Sequence, residues 1–167
     1  TGVINASNVT TITGTYSQIT TAQSSSGITG LDGVNTIISG NMTVEQANTV
    51  AATTTDPVTA TITDGDMATL AGLNETGNAY TITITDKTVD STALNELDAK
   101  TTVAVNASAV TILTGTAAAA NTAYASSGIS GLANEAITLE DTTLAASVLN
   151  TLDGNTTGAV NASTVTT

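Results

Sequence analysis

The chain repeats itself, and that property constrains its fold more than any other. Residues 5–31, NASNVTTITGTYSQITTAQSSSGITGL, return at residues 106–132 as NASAVTILTGTAAAANTAYASSGISGL, with 16 of 27 positions identical. The last eleven residues, TGAVNASTVTT, repeat the first eleven, TGVINASNVTT, at eight positions. Units of this size cannot bury an apolar face alone and gain a core by stacking on one another. The sequence therefore reads as a single tandem array over residues 1–167, in the phase of a window cut from a longer protein.

A finer period emerges from the last apolar residue of each strand-like stretch: Ile4, Ile38, Ile62, Ile84, Val105, Leu139 and Val160. Two unit lengths alternate irregularly. The long steps, Ile4 to Ile38 and Val105 to Leu139, carry the NAS…TGT…SGI(S/T)GL insertion, and the short steps lack it. Val58–Thr63 and Tyr80–Thr85 alternate β-branched and apolar residues with period two, which predicts half-buried strands with the Ile side inward. Within the longer units a second strand is expected at Val110–Thr114 and Val9–Thr13, with Gly128–Leu132 closing the wider turn.

Helical spacing follows the strands. Val89, Ala93, Leu94 and Leu97 fall on one stripe of a 3.6-residue helix, as do Leu144, Val148, Leu149 and Leu152. Thr15-x-x-Gln18 and Thr43-x-x-Gln46 fit the capping box, in which the Thr hydroxyl takes the N3 amide and Gln reaches back to the cap. Polar runs such as Asp98–Thr102 and Asp153–Thr157 end the helices. Helices of about ten residues are marginal alone and must be held by packing. One strand and one short helix per unit predict a repeat solenoid of stacked parallel β-strands, with an all-β right-handed solenoid as the alternative. The leucine-rich-repeat consensus LxxLxLxxN is absent.

Composition excludes whole classes of function. Fourteen acidic residues face two basic ones, Lys87 and Lys100, for a net charge of -12, so phosphate neutralisation and nucleic-acid binding are not expected. His and Cys are absent, which removes imidazole and thiolate metal sites and His- or Cys-based catalysis. No stretch approaches the roughly 18 apolar residues of a membrane helix, so direct membrane insertion is not expected. A leader peptide, if the protein has one, is expected outside this stretch.

Several motifs invite chemistry. Asp64, Asp66, Asp86 and Asp141 recur at strand ends, where stacking would align their carboxylates for Ca²⁺ or place them as helix caps; the cap is the expectation, because the GGxGxDxUx nonapeptide is missing. Thr59-x-Thr61-x-Thr63 and Thr81-x-Thr83-x-Thr85 suggest hydroxyl rows of an ice-binding kind, although a solvent-facing β surface explains them as well. Seven N-x-S/T sequons occur, at Asn5, Asn8, Asn41, Asn74, Asn106, Asn155 and Asn161, and the three NAS copies are expected to make turns. Tyr16, Tyr80 and Tyr124 are too few for a carbohydrate platform and are expected to be partly packed with wet hydroxyls. Lys87 and Lys100 are expected to pair weakly with Asp90 or Asp98. No catalytic, cofactor or metal site is expected.

The recurring pieces LNxLDxxTT, VNASxVTxLTGT and SSGISGL resemble tandem repeats of very large secreted cell-surface proteins of marine cyanobacteria and other aquatic bacteria. The resemblance implies an extracellular or cell-surface structural protein: a spacer, coat, filament or adhesin segment and no enzyme. Its partners would be neighbouring repeats, further copies of itself, or a surface polysaccharide or cell envelope. An ice-binding or calcium-dependent adhesive module, or a viral fibre shaft, are the alternatives.

Overall fold

Short strands and short helices alternate along residues 2–166, the part of the chain described by this computed structural model. The order begins β1 (Ile4–Asn5), β2 (Thr11–Gly14), α1 (Tyr16–Gln23), β3 (Ile28–Thr29), β4 (Asn35–Met42) and α2 (Val44–Ala51). It continues with β5 (Val58–Ile62), α3 (Met67–Leu70), β6 (Ala79–Thr81), β7 (Thr88–Asp90) and α4 (Ser91–Asp98). The last part holds β8 (Val105–Asn106), β9 (Ile112–Gly115), α5 (Ala117–Ala125), β10 (Ile129–Ser130), β11 (Ala136–Leu139), α6 (Ala146–Asn155) and β12 (Val160–Asn161).

The described strands sort into four small parallel sheets, ordered β1-β3, β10-β8, β12-β11-β9-β7 and β2-β4-β5-β6. This is a mixed α/β fold, and it corrects the expected solenoid; the six helices equally overturn the all-β alternative. Two compact units result. The first runs from the N-terminal side to Asp64 and takes in Gly72–Ile82 and Lys100–Val103; the second comprises Gly65–Ala71, Thr83–Ala99 and the chain from Ala104 onward.

A local turn is the reason that one continuous ladder does not form. Asn5 Oδ1 accepts the Ser7 amide at 3.0 Å, and the Val9 amide donates to the Ala6 carbonyl at 2.8 Å. The chain therefore leaves the β1 ladder and enters a different sheet at β2. In the duplicate, Asn106 Oδ1 takes the Ser108 amide at 3.0 Å and Val110 donates to Ala107 at 2.9 Å, separating β8 from β9 in the same way. The turn is packed tightly from the neighbouring strand: a Cβ on Gly30 (φ +82°) would lie 2.8 Å from the Ser7 nitrogen, and one on Gly131 (φ +89°) 2.7 Å from that of Ser108. Only glycine meets both the left-handed backbone and the space.

Breaking the strands changes the partners. Ile4 lies opposite Ile28 and Gly14 opposite Ile38, so the expected long step from Ile4 to Ile38 resolves into two shorter steps taken in different sheets. The same holds in the duplicate, where Val105 faces Ile129 and Leu139 faces Gly115. The expected pairing of Ile62 with Ile84 does not form. Instead β5 pairs with β6 through Thr61 opposite Thr81, while Ile84 donates to the Asn106 carbonyl at 2.9 Å.

Inward-facing residues give each unit its own core. Val34, Met42, Val50, Val58 and Ile82 are buried with Tyr80 in the first; Leu70, Leu94, Leu113, Ile137, Leu139 and Leu152 are buried in the second. Full burial of such side chains contributes about 1.5–3 kcal/mol each.

Candidate functional site: carboxylates at the helix starts

Every strand-end aspartate singled out by the sequence caps a helix. In the first unit, Asp64 Oδ2 accepts the amide of Val44, the first residue of α2, at 2.7 Å. The helix's own cap, Thr43, forms a full capping box with Gln46. In the second unit, Asp86 Oδ2 accepts the Met67 amide of α3 at 2.7 Å, and Asp141 Oδ2 the Ala117 amide of α5 at 2.8 Å. Asp66 and Thr116, the N-caps of these two helices, take the N3 amides of Thr69 and Ala119. Each of these helix starts is thus held twice, by its own N-cap and by a carboxylate 19 to 24 residues further along the chain.

The electrostatics follow from that geometry. Free amides and the helix dipole present partial positive charge at a helix start, and a carboxylate answers it. The Thr69 amide, followed by its hydroxyl, holds Asp66 below the usual carboxylate range. Asp90 caps α4 through the Ala93 amide at 2.9 Å. Among the described residues no group of three or more acidic side chains is placed to hold a metal ion.

One carboxylate is fully buried. Glu135 accepts the Tyr124 hydroxyl at 2.9 Å and the Ala133 amide at 2.9 Å, and its carbonyl takes the Thr156 hydroxyl at 2.7 Å. Burial, with the Glu135 carboxylate adding to it, pushes the Tyr124 hydroxyl up to about 12. No single-residue motif announces this cluster. The duplicated segment hides it, because its earlier copy carries Gln23 and Val34 at the matching positions. Tyr80 is also interior rather than wet, and burial raises it to about 12.

The remaining motifs take structural roles. All three NAS asparagines make the expected turn, with Asn161 Oδ1 accepting Ser163 at 3.1 Å. Outward-facing threonines line up across β5 and β6, Thr61 opposite Thr81, but the next column reads Thr13, Ile37, Thr59, Ala79, so the hydroxyl array is interrupted. Lys100 donates its ammonium to the Asn74 carbonyl at 3.1 Å instead of to an acid. An open groove of about 510 Å³ in the first unit is lined by Ala51, Ala52, residues 54–57 and residues 75–78, among them the acidic Asp56 and Glu75. The compact α/β units with four separate sheets replace the expected solenoid repeat, and nothing in them supports the filament or adhesin expected from the resemblance. The chain matches no family profile, no curated protein and no solved structure.

Proposed function

We propose that this protein is a non-catalytic structural module of a large extracellular or cell-surface protein, serving as a spacer or coat segment. One observation carries the reading. The carboxylates best placed for chemistry, Asp64, Asp66, Asp86 and Asp141, are all engaged in holding helix starts. Side chains that stabilise one strand–helix unit from the next are what a spacer under tension needs and what a catalytic centre cannot give up. The excess of 14 acidic over two basic residues keeps such a surface hydrated and repels like copies at long range. The resemblance to repeats of secreted surface proteins supports the same placement.

The test is immunogold labelling of intact source cells together with protease shaving. Surface label and loss of the antigen on shaving are expected; label confined to the cell interior overturns the reading. Two measurements on the purified chain separate its rivals. A melting temperature unmoved by chelator argues against the calcium-dependent module, and a solution without thermal hysteresis argues against the ice-binding one.

A further inference from the structure

Three turns that lead into strands are closed by one device, and a fourth lacks it. Ahead of β5 the Thr54 hydroxyl donates back to the Val34 carbonyl at 2.9 Å. Thr101 donates in the same way to Tyr80 at 2.7 Å ahead of β8, and Thr156 to Glu135 at 2.7 Å ahead of β12. Ahead of β6 the chain turns through Gly77, at φ +82°, and among the described residues no threonine closes that turn. The backbone ladder stops early with it. Thr36 and Val58 lie opposite each other, yet Thr36 donates to the backbone carbonyl of Pro57 at 3.1 Å and Val58 to the side-chain oxygen of Asn78 at 2.8 Å. Among the described residues no backbone hydrogen bond joins residues 54–57 to 74–77, and the groove of about 510 Å³ opens there, mid-chain and within the first unit.

Asn78 is the residue that points to a ligand. It is 5% exposed and lines the groove. Its Oδ1 is fixed by the Val58 amide, so its Nδ2, with no partner among the described residues, is left as a donor facing the opening. The two groove carboxylates are not spent on helix starts. Asp56 and Glu75 accept no hydrogen bond from a described residue, while the backbone that carries each is pinned. The Asp56 amide donates to the Thr54 hydroxyl at 3.1 Å. Asn74, next to Glu75, donates its amide to Asn48 Oδ1 at 3.0 Å and takes the Lys100 ammonium on its carbonyl at 3.1 Å. One donor and two acceptors are thus held in place before any ligand arrives, which lowers the ordering cost of binding.

We propose that this groove binds a neutral saccharide. A hydroxyl answers both sides of the site at once, because it donates to a carboxylate and accepts from an amide. A divalent cation would face the N–H groups of Asn78, and an ammonium or guanidinium, being a donor only, would leave them unanswered. Acidic saccharides are repelled by Asp56, Glu75 and the net charge of -12. Hydroxyls of a hexose ring are therefore assigned to the two carboxylates and to Asn78 Nδ2, with a C–H face of the ring on the apolar surface of Pro57. The volume lies within the range of small-ligand sites, about 300–1,000 Å³. This inference is independent of where the protein acts.

The experiment is an NMR titration of the whole isotope-labelled chain with neutral oligosaccharides of glucose, galactose, mannose and N-acetylglucosamine at millimolar concentration, and separately with calcium chloride and oligolysine. At least one saccharide is expected to shift the Asn78 side-chain amide and the Gly77 backbone amide saturably. Asp56→Ala and Glu75→Ala should each weaken that binding about tenfold or more, as expected for losing a hydrogen bond to a charged group. Circular dichroism and melting should stay unchanged, because Asp56 is only half-buried and Glu75 is exposed. Glu96→Ala, which removes the same charge from an exposed position in α4, should leave binding unchanged. Asn78→Asp keeps an oxygen for the Val58 amide and removes the donor, so binding should be lost. The proposal is overturned by saccharides that shift neither amide, by an equal loss in Glu96→Ala, or by a groove that takes calcium or oligolysine and no saccharide.

Discussion

Asp141 shows how much a single side chain carries here. It takes an amide that its helix has no other way to satisfy, 24 residues before it in the chain. Asp141→Ala should lower stability by about 0.5–2 kcal/mol, read from urea unfolding, as expected for loss of a cap. Tyr124→Phe is expected to cost more, about 1–3 kcal/mol, because it leaves the buried Glu135 carboxylate without one of its donors. Gln23 presents the reverse case: both polar atoms of its amide are buried without a partner, so Gln23→Leu should stabilise the protein by about 1 kcal/mol. Tyr80 and Tyr124 set an alkaline limit. Both hydroxyls are raised to about 12 in the folded chain. Folding therefore favours their protonated forms; that contribution is complete below the ordinary tyrosine value near 10 and is lost as pH rises from there through 12. A melting temperature falling across that window, with both Tyr→Phe replacements reducing the fall, is the expected record.

At the level of elements, the helix starts are legible in the sequence because their signals are local. Thr15 with Gln18 and Thr43 with Gln46 form full capping boxes, each closed within four residues. Thr43→Ala should cost about 1 kcal/mol by the same urea measurement. The helix extents are less legible: Val89 and Leu144 fit the apolar stripe, yet Val89 lies in β7 and Leu144 precedes α6. Periodicity alone cannot say where a strand yields to a helix when Asp90 provides the cap one residue later. Strand pairing is less legible still. The NAS segment announces a turn, but its effect on the ladder, sending β1 and β2 into different sheets, depends on the approach of Gly30 to Ser7 from beyond α1.

For the molecule as a whole, charge is a property the sequence already sets. A net charge of -12 repels itself, so adding salt from low ionic strength should raise the melting temperature of the chain, with most of the effect complete once the screening length falls to about 10 Å. The copies, the helix caps and the Asn-Ala-Ser turns are likewise settled by the sequence, since each is made by residues a few positions apart and needs no knowledge of the rest of the fold. Partner choice is not. Whether Ile4 lies opposite Ile28 or Ile38, whether Glu135 meets Tyr124, and which acid reaches which helix start depend on where two distant segments come to rest. Period-two patterns tolerate many registers between such segments, and only the packed structure selects one.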